Sequence, residues 1–182
     1  DYCSEQRRYK RLFERKKGTF ILEEKQTSEL TLADILMLDE TLSMHKLYII
    51  ALLVPDLKEL ILREAEKAVN GGRFKKDTFA IFSARLEGEL ETSIAERYGA
   101  KNYALIAMRL TRLLEQLNRT MLARELTHQL ERIRVIDVQE LGSGRGTTMD
   151  VYLEKEGCLW VQTVPKGTKN FQRIENIQEA NM

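Results

Sequence analysis

Apolar residues at Tyr103, Ala107, Leu110, Leu114, Leu117 and Met121 are spaced alternately by four and three. That spacing draws a seam along one helical face, close to the repeat of paired helices. Leu122, Leu126, Leu130 and Ile133 carry an apolar stripe onward, and neither Gly nor Pro occurs between Gly99 and Gly142. At Arg134 the pattern shifts to the alternation of a sheet. Arg134 to Glu140, Thr147 to Glu154 and Cys158 to Val164 predict three strands. Gly142-Ser143-Gly144-Arg145-Gly146 and Glu156-Gly157 join them as an antiparallel meander.

Upstream, Ser4 to Lys17 predicts a basic amphipathic helix with Tyr9, Leu12 and Phe13 on its apolar side, and Thr19 to Leu22 a short strand. Thr31 caps a helix whose first turn holds Asp34 and whose apolar face runs through Leu32, Ile35, Leu36, Leu38 and Leu42. Met44 to Val54 is almost wholly apolar and belongs in the core. Pro55 suits the first turn of a helix continuing to Val69. Asn70-Gly71-Gly72 is the clearest break, either a domain boundary or a tight connection between antiparallel helices. Asp77 caps a helix from Thr78 to Tyr98, buried through Phe79, Phe82, Leu86, Leu90 and Ile94, and Gly99 ends it. The expected fold is α+β and mostly α, a helical bundle followed by a small antiparallel sheet. Three regions are expected: 1–70 with the basic first helix, 71–165 with the hairpin, and a flexible tail at 166–182.

Charge refines this picture. The net charge is only +1, so an acidic partner must be met by a local patch. Residues 1–17 carry seven Lys/Arg against three acids, and residues 97–145 carry nine against five. Two cysteines, Cys3 and Cys158, make neither a disulfide framework nor a zinc spacing, so a reducing cytoplasmic setting is the default. Cys158 reads as a packed thiol beside Trp160. The longest apolar run is too short for a bilayer, which needs about 20 residues.

Catalytic chemistry finds little purchase. His45 and His128 lack partners at metal-ligand spacing, so no metal site or cofactor is expected. His45 reads as a core or boundary residue and His128 as surface. Gly142 to Gly146 lacks the Gly-Lys-Ser/Thr of a phosphate loop and reads as a hairpin tip. No carboxylate pair marks a cleft. A non-enzymatic protein is expected, with no catalytic residues.

One order of elements stands above this background. An Arg-rich helical stretch is followed by Leu-Glu-Arg-Ile-Arg-Val-Ile-Asp-Val-Gln-Glu-Leu from Leu130, then the Gly/Arg tip, then Thr147 to Gly157. Over residues 90–157 this resembles the winged-helix DNA-binding superfamily. Ser93 to Ala100 is similar to the opening of its helix-turn-helix. The resemblance implies a helix in the major groove, a wing on backbone or minor groove, and a turn at Asn118-Arg119-Thr120. It implies duplex DNA as partner and a role in transcription regulation. Arg109, Arg112, Arg119, Arg124, Arg132 and Arg145 are the residues expected to touch phosphate or groove. The alternative is a helical adaptor or subunit of a larger assembly. It would bind a protein partner, or a second copy of itself, through Tyr103, Leu110 and Leu117 of the seam and through Arg7, Arg8 and Arg11. The seam can equally pack within the chain against 78–98.

Overall fold

The computed structural model describes residues 30–99, 101–140 and 148–165. Among them run seven helices: α1 (Leu32–Leu36), α2 (Met44–Leu53), α3 (Pro55–Gly71), α4 (Thr78–Leu86), α5 (Glu91–Arg97), α6 (Tyr103–Leu117) and α7 (Leu122–Leu130). Three strands follow, β1 (Arg134–Glu140), β2 (Thr148–Lys155) and β3 (Cys158–Pro165). The fold is therefore α+β and mostly helical. The chain divides into two compact units, one joining 1–38 to 127–182 and the other spanning 39–126. The basic first helix, the strand at 19–22, the hairpin tip with Arg145 and the 166–182 tail lie outside the described residues.

In the first unit the sheet has the order β1-β2-β3 with both pairs antiparallel. Met149, Val151 and Leu153 alternate on the buried face of β2, as a half-buried strand requires. A bulge in β1 sets Val135 opposite Leu153 and Asp137 opposite Tyr152. The extra residue lets both Val135 and Ile136 be buried although they are consecutive. Glu156 and Gly157 close β2 to β3 with φ of 52° and 80°, the positive values of a tight primed turn. Residues 30–32 lie along the other edge of β1. The Leu32 N–H donates to Ile133 O at 2.9 Å, and the Val135 N–H to Leu30 O at 2.8 Å. Thr31 then caps α1 as its sequence requires. Its hydroxyl accepts the Asp34 N–H, and the Asp34 carboxylate accepts the Thr31 N–H. The helix is shorter than its apolar face suggested: it stops at Leu36, and Leu38 is 70% exposed.

In the second unit α2 supplies the most apolar element, with Leu47, Ile50 and Leu53 fully buried. Ser43 caps it, its hydroxyl accepting the Lys46 N–H at 3.1 Å, and Pro55 opens α3 at its first position. The segment 72–77 joins α3 to α4 within this unit. The single helix expected from Thr78 to Tyr98 is two, α4 and α5. Gly88 breaks it at φ +96°, where an added Cβ would sit 3.0 Å from the Tyr48 ring. That left-handed backbone and close approach suit glycine alone. Leu90, expected inside, is 67% exposed before α5.

The seam of α6 is rotated from its expected line. Ile106, Leu110, Leu113 and Leu117 are buried, whereas Tyr103 and Met121 are each 57% exposed. The expected line treated 103–121 as one helix, but Tyr103 begins α6 and Met121 falls in the turn after it. Asn118-Arg119-Thr120 does separate two helices. The Asn118 amide accepts the Leu42 N–H at 2.8 Å and donates to Leu42 O at 3.2 Å. The Thr120 hydroxyl donates to Leu117 O at 2.6 Å and accepts the Leu122 N–H at 3.2 Å. One side chain thus ends α6 and starts α7. Leu122, Leu126 and Leu130 of α7 are fully buried, so its stripe runs where the sequence placed it.

Candidate nucleic-acid interface

The six arginines singled out in the sequence meet different fates. Arg112, Arg119 and Arg124 are exposed, and none has an ion-pair partner among the described residues. Arg112 lies on α6 and Arg124 on α7, both at outward positions. Arg119 lies in the turn between them. His128 is exposed one turn beyond Arg124, as expected of a surface residue.

Arg109 departs from the expectation of a free phosphate contact. Its side chain is only 17% exposed and pairs with the Asp77 carboxylate. The same guanidinium donates to the Thr78 hydroxyl at 3.0 Å, and Thr78 is itself buried. The bond from Arg109 holds the Asp77 carboxyl below its ordinary value of 3.8, against a smaller opposing effect of burial, and the charge of Lys75 adds to the lowering. Asp77 occupies the cap position of α4, yet its carboxylate makes no capping bond. The expected cap is instead a partner for Arg109, which ties α6 to the start of α4.

Arg132 is exposed but pairs with Glu156. Arg134 pairs with Glu154 across the β1–β2 ladder, where the two residues stand directly opposite. Burial acts to raise the Glu154 carboxyl. The bonds from Arg134 and from the Gly157 N–H outweigh it, and the net displacement is downward. The sheet's own acids therefore answer two of its arginines.

A cleft of about 380 Å³ opens beside Arg109 within the helical unit. Arg73 and Lys75 line it from the α3–α4 connection, and Arg112 from α6. Phe74, Tyr98, Leu105, Ile106 and Met108 supply its apolar surface. Four cations face one carboxylate here, and Asp77 is already paired. Arg73-Phe74-Lys75-Lys76 is a basic run in the sequence, but nothing in its pattern joins it to α6. The connection is anchored at both ends. Phe74 folds over Gly72, where a Cβ would lie 2.7 Å from its ring, and Asp77 is held by Arg109. Tyr98 is steadied too: the Arg97 guanidinium lies 5.3 Å from its ring centroid and binds Glu89 at 2.8 Å.

Other candidates fare less well. Leu110 and Leu117, two of the three seam residues of the adaptor reading, are buried in the chain's own core. They pack there because α6 lies against α3, α4 and α5, the intrachain alternative. Tyr103 remains exposed, and Arg7, Arg8 and Arg11 lie outside the described residues. His45 is exposed rather than buried, since it falls on the outward side of α2. Cys158 is exposed rather than packed, at the start of β3 beside the Glu156-Gly157 turn. Among the described residues no cluster of His, Cys, Asp or Glu could hold a metal ion, and no helix is long and apolar enough to cross a membrane. No family model, curated protein or solved structure matches the chain.

Proposed function

We propose that this chain is a non-enzymatic nucleic-acid-binding protein of regulatory type, with Arg112, Arg119 and Arg124 as its principal phosphate contacts. The observation that carries the reading is that these three arginines stand exposed along α6, its turn and α7 with no carboxylate partner among the described residues. Surface arginines without carboxylate partners keep their full charge for phosphate. Two helices joined by a short turn and followed by an antiparallel hairpin also have the element order of a winged-helix domain. That order supports duplex DNA as partner, with α7 as the groove helix. Arg109 is a positioning residue in this reading, and Arg132 contributes only if it leaves Glu156.

The test is fluorescence anisotropy of a labelled random-sequence duplex at low and high salt. Binding in the micromolar range or tighter at low salt, weakening steeply with added salt, is the expected outcome, because bound counterions are released from the phosphates. Absence of binding at low salt would overturn it.

A further inference from the structure

We infer that the cleft between the α3–α4 connection and α6 takes one unpaired nucleotide of a single strand, with its phosphate against Arg73, Lys75 and Arg112 and its base against Tyr98, Leu105 and Met108. This rests on the nucleic-acid reading and adds to its duplex contacts a single-strand subsite that shares Arg112 with them. Phosphate alone accounts for the cations but not for the apolar wall beside them. Leu105 and Met108 are 39% and 48% exposed although α6 has a full buried stripe on another side. Tyr98 is held in place by Arg97. A charged rim next to an aromatic and apolar surface is the combination that binds unpaired bases, whose faces stack on rings whatever their sequence. A paired base hides both faces in the duplex stack and shows only its edges, which are read by elements that protrude into a groove. A recess of about 380 Å³ lies at the small end of the range for ligand cavities, about 300–1,000 Å³. That volume is on the scale of a single nucleotide unit.

The geometry also explains the neutralised carboxylate. Asp77 would repel a phosphate entering the cleft. Arg109 engages it directly, so Arg73, Lys75 and Arg112 stand without a carboxylate partner among the described residues. The bond from Arg109 to Asp77 ties the end of the connection that carries Arg73 and Lys75 to α6, which lowers the backbone ordering cost of binding.

The experiment compares a short fluorescein-labelled oligothymidylate with a hairpin duplex of the same length, using the full chain. The strand is expected to bind more tightly than the duplex. Tyr98→Leu is expected to weaken the strand about tenfold, the loss of one stacked base, and to leave the duplex unchanged. Arg73 and Lys75 are exposed, so the double variant Arg73→Gln/Lys75→Gln keeps the fold even if Tyr98→Leu does not. It must weaken the strand more than the duplex. Duplex binding without strand preference, or equal losses for both probes in the double variant, would overturn the cleft assignment while leaving the nucleic-acid reading in place. Failure of both probes to bind would overturn both.

Discussion

The arginines of the sheet and those of α6 and α7 belong to one basic stretch of sequence, yet they end in different electrostatic states. Arg132 and Arg134 meet Glu156 and Glu154, which the β1–β2–β3 meander folds back beside them. Arg112, Arg119 and Arg124 meet no acid among the described residues. Local charge counts cannot separate these cases, because the neutralising carboxylates lie some twenty residues away along the chain. A surface field depends on which charges remain after folding. The comparison is why the proposed phosphate contacts are placed on the helices and not on the sheet.

Arg109 sharpens the same contrast within a single helix, three residues from Arg112. Arg109→Met removes charged hydrogen bonds to Asp77 and Thr78. It is expected to lower stability by about 2 kcal/mol in urea titrations, whereas Arg112→Met should stay within about 0.5 kcal/mol of wild type. Equal effects would mean that the inward and outward arginines are not distinct.

The sheet pairs should matter less. Arg132 and Arg134 are each roughly half exposed, and surface ion pairs contribute about 0–1 kcal/mol. Arg132→Gln/Arg134→Gln is therefore expected to shift the urea midpoint slightly and to lose that small difference in high salt. A loss as large as that of Arg109→Met would contradict the exposed assignment.

The smallest expected effect is a pH dependence. Asp77 has its carboxyl lowered when folded, chiefly by the bond from Arg109. Such a group adds stability that is full above its unfolded value, near 3.8, and is lost as pH falls through that value toward the lower folded one. Asp39, lowered mainly by its bond from Lys46, and Glu154 act with the same sign, but both persist in Arg109→Met. The stability gap between wild type and that variant should therefore narrow as pH drops below about 4. A gap that widens would mean that Asp77 is not held by Arg109.

Much of the fold is legible in the sequence where one residue type enforces one geometry. Thr31 with Asp34 caps α1, Pro55 opens α3, and Glu156-Gly157 closes the hairpin, each through local bonding. The turn at Asn118-Arg119-Thr120 is legible as a possibility. What makes it real is nonlocal: the amide of Asn118 satisfies the backbone of Leu42. Gly88 gives no break signal in the sequence because a lone glycine is tolerated inside a helical pattern; the Tyr48 ring beside it shows why the chain turns there. The candidate site was half legible. Arg112, Arg119 and Arg124 follow from the local basic excess together with the winged-helix resemblance. The inward turn of Arg109 does not, since Asp77 by sequence is a helix cap and its pairing with Arg109 is a tertiary contact. Arg73 and Lys75 were visible as a basic run, but their meeting with α6 is a tertiary fact.

The most direct test sets two arginine groups against each other. Duplex affinity is measured over a salt series for wild type, for Arg112→Gln/Arg119→Gln/Arg124→Gln, and for Arg132→Gln/Arg134→Gln. Each lost phosphate contact should reduce the slope of log affinity against log salt by about 0.9. The helical triple variant is expected to lose between two and three units of slope, roughly 0.9 for each contact, and the sheet double variant almost none. An unchanged slope in the triple variant, or a larger loss in the sheet variant, would contradict the account.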